Sequence, residues 1–440
     1  MRKDLARLAL AAVACAPACL APATAPPPDR LRAASVPASV QAAPRPPIPA
    51  HDRPIPARVR TMAALPSITG HPAVPTIRLQ AIAPGPAAPP RPGNPADPHL
   101  AAPDSAGTHP AAPDDAGSHA AGPRPESFTV VATGDILLHR PLILQARHDG
   151  GGELDFLPMF RGVRKQVAAA DLALCHLETP LAPRRGPYTG YPLFSAPPQV
   201  LTALVRVGYD GCSTASNHTL DQGEPGVRRT LQALDRAGLA HTGSARNARE
   251  SRKNVIYDVK GVRVAHLSYT YGTNGIPVPK GRPWLVNDSL DPARITAAAR
   301  RAKARGADVV IVSLHWGEEY QHAPSAQQRA VAKAVLASPA VDLIVGHHAH
   351  VVQPFDRIRG KWVAYGLGNQ VANPSANLAA THEGVLARFR FERTGDGWRA
   401  RPAFVPTKIV AGPPIRLRPA VLPGVAEVVR SLGERVPILK

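Results

Sequence analysis

Six short clusters hold most of the side chains in this 440-residue chain that could do chemistry. They are Gly134-Asp135, Cys175-His176-Leu177-Glu178, Ala215-Ser216-Asn217-His218, Leu314-His315-Trp316, Gly346-His347-His348-Ala349-His350 and Gly368-Asn369. Together they supply an Asp, a Glu, Asn217 and six His. Neutral imidazole with carboxylate is a donor set that suits zinc, iron or manganese. A carboxylate shared by two cations, with imidazoles on either side, is a common way to build a two-metal hydrolase. The run at His347, His348 and His350 is the most specific signal, because three imidazoles directly after an apolar segment rarely serve packing alone. In an extended turn His348 and His350 point the same way and His347 points away.

Each of these residues also has a bland reading. Asp135 could cap a helix, Glu178 could sit in a buried ion pair, Asn217 could be a turn residue, and His218 and His315 could be satisfied core histidines. Their common company argues against that. Glu319, after His315-Trp316-Gly317, has four roles open: orienting a ligand, acting as a base, positioning substrate, or a structural one. Arg140, five residues past Asp135, is either a bidentate holder of an anionic group or a solvated residue at a helix start. His139, His148, His241, His266, His322 and His382 lack such company and are expected at the surface or in the core. There is no Gly-x-Ser-x-Gly elbow and no phosphate-cradling Gly-x-x-x-x-Gly-Lys loop. Nothing marks Cys175 as an activated nucleophile.

The elements that must position these side chains alternate. Short apolar runs bounded by turn residues predict strands at 128–133, 172–175, 211–215, 262–269, 308–314, 343–346 and 362–365. Helical patterns predict helices at 156–170, 198–207, 225–237, 292–305 and 325–337, with Pro225 and Pro292 in first turns and Gly208, Gly238 and Gly306 at exits. This is an α/β domain with largely parallel strands, and the segments near 385–405 are antiparallel additions. Every polar cluster follows a strand. Ligands bind outside the carboxyl ends of strands in such folds, so the clusters share one rim and describe a site.

Composition divides the chain. Residues 1–125 hold 27 of the 51 prolines and carry a near-repeat, 101–109 against 111–119. Such a stretch cannot bury enough apolar surface to offset its ordering entropy, and 26–125 is expected to be a disordered tether. Before it, Met1-Arg2-Lys3 and the apolar run 5–20 form an export signal, a lipoprotein signal or an anchor within 1–25. Extracytoplasmic localisation follows, with the membrane touched only through the N-terminus. The folded part is 126–411, with 412–440 as a C-terminal extension. Cys175 and Cys212 lie near the ends of neighbouring strands, which leaves both a bridge and buried thiols open. Beyond residue 125 the balance is 40 Lys+Arg against 25 Asp+Glu, a basic surface that attracts polyanions. No basic run of five or more and no interleaving of Arg with aromatics occurs, so nucleic acid is not the expected partner.

The ordered series of motifs resembles the CapA-type proteins associated with poly-γ-glutamate capsule synthesis, themselves similar to calcineurin-like metallophosphatases. It comprises Gly134-Asp135, Leu177-Glu178, Ser216-Asn217-His218 with Asp221 and Gly223, His315-Trp316-Gly317-Glu318-Glu319-Tyr320, Gly346 to Pro354 and Gly366-Leu367-Gly368-Asn369. The resemblance covers about 128–375. It implies a four-layer αββα sandwich and a dinuclear-type site of Asp135, Glu178, Asn217, His218, His315, His348 and His350. One or two divalent cations (zinc, manganese or iron) would occupy it, with His218 and Glu319 in catalytic roles and Arg140 and His176 toward substrate. Three departures are visible. Leu137 stands where the metallophosphatase Asp-x-His opening has its His, Ser216 replaces the first Asn of the usual Asn-Asn-His, and His176 stands where Asn usually precedes Leu-Glu and is able to replace the lost ligand. The implied function is work on poly-γ-glutamate or a related anionic surface polymer as a metal-dependent hydrolase-like accessory, with a membrane synthase complex as the partner. A surface metallophosphoesterase and a non-catalytic polyanion-binding module are the alternatives, since fold does not fix substrate.

Overall fold

The period-2 alternation of apolar residues decides the layering, because successive side chains on a strand face opposite sides. The computed structural model describes residues 125–373 and 378–439. The expected export signal and all but the last residue of the expected tether lie outside the described residues.

One sheet contains β1 (Ser127–Ile136), β2 (Leu172–Leu177), β3 (Gly211–Ser213) and β4 (Ala240–Thr242); the other begins with β5 (Val255–Val259), β6 (Val262–Thr270), β7 (Val309–His315) and β8 (Leu343–His347). The second sheet is completed by β9 (Phe355–Ile358) and β10 (Lys361–Ala364). The first takes up β11 (Asn369–Val371), β12 (Glu383–Thr394), β13 (Gly397–Val410) and β14 (Arg416–Pro419). Strand order is β14-β13-β12-β1-β2-β3-β4, with β11 pairing β1, in the eight-stranded sheet, and β5-β6-β7-β8-β10-β9 in the six-stranded one. The central neighbours β1-β2-β3-β4 and β6-β7-β8-β10 are parallel, whereas β12, β13 and β14 add antiparallel.

Phe128, Val130 and Ala132 of β1 meet Val309 and Ile311 of β7 in the core between the sheets. The alternate residues face outward. Val131, Ala173 and Leu177 pack on the helices of one side, which include α4 (Val200–Val207) and α5 (Gly223–Ala237). Val310, Val312 and Leu314 pack on α7 (Pro292–Ala304) and α8 (Ala326–Leu336) on the other. Helix, sheet, sheet, helix is the expected four-layer αββα sandwich.

Three local differences from the sequence expectations have physical causes. The helix expected at 156–170 is three short pieces, α2 (Leu157–Phe160), a 3₁₀ turn Arg161–Val163 and α3 (Arg164–Ala168). Gly162 lies in the middle, and a Cβ there would sit 2.3 Å from the Leu417 carbonyl oxygen, so β14 crowds this turn. Helix α1 (Arg140–Asp149), absent from the expectations, begins with Pro141 in its first turn. It places Arg147 and His148 in its last turn, where cations suit the helix dipole. The short α6 (Ala248–Ser251) completes the set before α7. Residues 412–440, expected as an extension, contribute β14 and α9 (Pro423–Arg430), and Val425, Val429 and Val436 enter the inter-sheet core. Cys175 and Cys212 face each other in register across β2 and β3, with Cα atoms 4.4 Å apart, and are joined by a disulfide.

Candidate metal centre

The carboxyl ends of β1, β2, β7 and β8 deliver Asp135, His176, Glu178, His315 and His347 to one place. Two close backbone approaches make this possible. A Cβ on Gly134 would lie 2.0 Å from the Gly368 carbonyl oxygen, so only glycine lets the 367–369 segment run beside β1 and set Asn369 opposite Asp135. A Cβ on Gly346 would lie 1.8 Å from the Tyr365 carbonyl oxygen, which the Trp316 indole N–H also reaches at 2.9 Å. The β1–β2 register shifts between Ala132 and Asp135, and such an irregularity re-aims the side chains that follow.

Asp135 is fully buried. Its Oδ1 is 3.2 Å from His347 Nδ1, and its Oδ2 is 3.2 Å from His350 Nδ1 and accepts the His348 backbone N–H at 3.0 Å. Burial opposes its ionisation, but the hydrogen bonds from His347 and His350 outweigh burial and hold the carboxyl well below its usual range. Glu178 is the opposite case. Among the described residues both carboxylate oxygens are buried with no hydrogen-bond partner, and the imidazole nitrogens His315 Nε2 and His350 Nε2 stand 3.8 Å from Oε1. Burial pushes its carboxyl well above the usual range. His350 is pushed up to about 10, because the charge of Glu178 and the hydrogen bond to Asp135 overcome the effect of burial.

The other imidazoles form a chain. His176 Nδ1 is 2.8 Å from Ser213 Oγ and its Nε2 is 3.0 Å from His315 Nδ1; His315 Nε2 is 2.9 Å from Asn217 Oδ1. His176 also stacks on His347 with ring centroids 4.1 Å apart. His348 is pushed down to about 3 by burial and by the charge on His350, and its buried Nδ1 has no partner. The turn that carries these residues is not the extended one expected. His348 has φ 89° and His350 φ 55°, left-handed conformations that side chains adopt at a cost and that cluster at functional sites. All three residues touch the Asp135 carboxylate, but only His348 and His350 belong to the donor groups described next.

Ligand atoms within 4.8 Å of one another define three overlapping groups among the described residues: Asp135, His176 and His315; Asp135, Glu178 and His350; and Glu319, His348 and His350. Asp135 is common to the first two and His350 to the last two. The donors fit a divalent cation. An acidic oxygen pair buried without a partner is the kind of vacancy that a cation satisfies, and carboxylate with neutral imidazole is its chemistry. The arrangement has room in its donor set for one or two such ions.

The remaining candidates are placed as follows. Asn217 is joined to His315, and its amide donates to Asn274 Oδ1 at 3.2 Å. His218 lies outside the three groups; its Nδ1 is 2.8 Å from Asp221 Oδ2, and its ring stands edge-on to Phe194. Glu319 is exposed at the mouth beside His348 and His350. Arg140 is exposed at the start of α1, and no hydrogen bond or ion pair ties it to the cluster among the described residues. Leu137 packs with Phe194 and Ala372 in a small apolar cluster, while His176 sits fully buried with Asp135 and His315. Tyr271, Asn274 and Asn369 complete the surroundings. Tyr271 places its ring 4.7 Å from His348, and Asn369 Oδ1 is 3.1 Å from His350 Nδ1. Tyr271 and Asn274 escaped the sequence reading, although Tyr271 directly follows β6 and the same strand-end rule would have found it.

Comparison with known proteins follows the same line. The profile of the family described as bacterial capsule synthesis protein PGA_cap matches residues 129–374, more than half the chain. The chain belongs to this family. Within it, the chain is similar to the capsule biosynthesis protein CapA of Bacillus anthracis, 34% identical over 203 residues that cover 46% of this chain and 49% of that protein. It is 31% identical over 196 residues to the PGA biosynthesis protein CapA of Bacillus subtilis, covering 44% of this chain and 50% of that one. A probable polyglutamine synthesis accessory protein of Mycobacterium tuberculosis is 30% identical over 213 residues, covering 46% of this chain and 56% of that protein. The chain thus spans about half the length of the curated relatives it matches. Among solved structures, the calcineurin-like phosphoesterase YfkN of Bacillus subtilis aligns with 70% of this chain and 97% of that chain, at TM-score 0.40 and 15% identity. The sandwich assignment rests on the strand order and the layering of the core.

Proposed function

We propose that this PGA_cap-family chain works outside the cytoplasm on an anionic surface polymer, of the poly-γ-glutamate kind that the motif resemblance implies, as a divalent-metal-dependent hydrolase. The buried, unpartnered Glu178 carboxylate among three overlapping donor groups carries this reading. The family membership, the basic folded region and the Cys175–Cys212 disulfide, a bond that persists in oxidising compartments, support it. A membrane synthase complex is the proposed setting, with the N-terminal 25 residues as the export or anchoring element.

Asp135, Glu178, His176, His315, His348 and His350 would hold the metal, and Asn217 would support it through His315. A divalent cation supplies Lewis-acid polarisation of an acyl or phosphoryl oxygen and acidifies water. The chain's own residues do the rest. Asp221 accepts the His218 Nδ1–H, which leaves Nε2 to take a proton and, from the imidazolium so formed, to give it to a leaving group. His347 and Asn369 orient Asp135 and His350 by the hydrogen bonds described above. Glu319, exposed beside His348 and His350, would meet the substrate, and Arg140, exposed at the start of α1, would hold an anionic group of it.

The test is the chain length of poly-γ-glutamate after incubation with the full-length protein, with and without chelator, beside a phosphomonoester and a phosphodiester. Shortening that chelation and Glu178→Gln both abolish is the expected result. Cleavage of the phosphate esters alone would make the protein a phosphoesterase. Polymer binding that survives chelation, with no cleavage of anything, would make it a binding module.

A further inference from the structure

A cavity of about 730 Å³, away from the metal cluster, opens where the edge strands β4 and β5 meet the 244–254 segment and α7. Arg246, in its wall, is committed to Asp235 and Glu250, so those two carboxylates are already neutralised. Arg252, Lys253, Arg294 and Arg301 also line the cavity and make no ion pair among the described residues. Two further lining groups are polar, buried and without a partner among the described residues, the Trp284 indole N–H and His241 Nδ1. The His241 side chain is only 9% exposed, and its other nitrogen is 3.0 Å from Asp235 Oδ1. Four unpaired cations around a cleft focus the field on an anion, and an indole N–H can do nothing but donate.

We propose that this cavity is a second binding site, which takes a segment of a polyanion bearing repeated carboxylate or phosphate groups. The charged groups would pair with the four cations, and an acceptor atom between them would take the Trp284 N–H. The site is separate from the metal cluster but is joined to it by one stretch of chain. Tyr271 and Asn274 stand against the cluster, and Trp284 and Asn287 of the same connection line the cavity. The two ends are tied down: the Thr270 N–H donates to the Asn287 carbonyl at 2.9 Å, and the Asn287 N–H to the Gly243 carbonyl at 2.8 Å. A polymer long enough to reach both would be gripped at a distance from the reacting residues. The inference does not require the metal cluster to be catalytic.

Fluorescence anisotropy of labelled poly-γ-glutamate and of labelled inorganic polyphosphate, titrated with the full-length protein at low and high salt, tests it. Arg294→Glu/Arg301→Glu should weaken binding by about tenfold or more. Trp284→Phe, which keeps the ring and removes the N–H, should weaken it without lowering the melting temperature. Charge reversal at Arg357→Glu/Arg399→Glu, which lie in a different arginine-lined cleft, is the control for net charge. Preference for one probe identifies the anionic group. Undiminished binding by Arg294→Glu/Arg301→Glu, or an equal loss in the Arg357→Glu/Arg399→Glu control, would overturn the proposal.

Discussion

At the scale of single residues, the site is a contrast between two buried carboxylates. Asp135 is held by three hydrogen bonds and Glu178 by none. That asymmetry separates their roles: Asp135 is oriented before any cation arrives, and Glu178 waits for one. His218 belongs to none of the three donor groups, and its hydrogen bond to Asp221 suits a proton donor. His218→Ala is accordingly expected to lose about 10²- to 10⁴-fold in turnover of polymer while keeping its metal content. Loss of metal in that variant would move His218 into the ligand set. The sequence made the types and spacing of these residues legible. It could not show that His348 and His350 adopt left-handed backbone, since that depends on how the turn packs beneath Tyr271 and Asn369.

At the scale of elements, parallel strands bring distant histidines together, and glycines permit the approach. Gly346→Ala would drive a Cβ into the Tyr365 carbonyl, so overpacking is expected to cost about 1–3 kcal/mol or more and to lower the melting temperature. A melting temperature equal to wild type would show that the backbone there yields. Strand β6 carries His266 into the inter-sheet layer, where Nε2 lies 2.8 Å from Ser313 Oγ and Nδ1 has no partner. Burial lowers His266 to about 3 from an ordinary value of 6.5. The unfolded chain takes up that proton near the ordinary value and the folded chain only near the lowered one. Stability is therefore fully present above the ordinary value and falls as pH drops toward the folded one. Between about pH 6 and 4, urea unfolding of wild type should lose ~1.4 kcal/mol per pH unit more than that of His266→Leu. Parallel slopes would contradict the burial argument. The strands of this rim were legible because each is a short apolar run. Helix α2 to α3 was not, because its interruption at Gly162 comes from β14, more than 250 residues away in sequence.

At the scale of the whole molecule, two sheets face each other, the metal cluster sits at the carboxyl ends of their parallel strands, and the C-terminal segment closes the layer between them. The last of these was not visible in the motif series, which ends before β12, because Val425, Val429 and Val436 acquire their partners only from both sheets at once. The disulfide was left open by the sequence for a similar reason, as strand order alone does not set register. It now ties β2 to β3 over a 37-residue separation, immediately beside His176 and Ser213. Cys175→Ser/Cys212→Ser should cost about 3–4 kcal/mol if the loop-entropy account holds. Equal stability of the variant and of the oxidised wild type would mean that the bond contributes nothing to the fold.

The most direct measurement is the metal content of the full-length protein by elemental analysis, as purified and after reconstitution with zinc or manganese, for wild type and for Glu178→Gln. About one or two equivalents in wild type, clearly reduced in a variant that remains folded, is the expected result. A folded wild type that takes up no zinc and no manganese would contradict the metal centre, and with it the hydrolase.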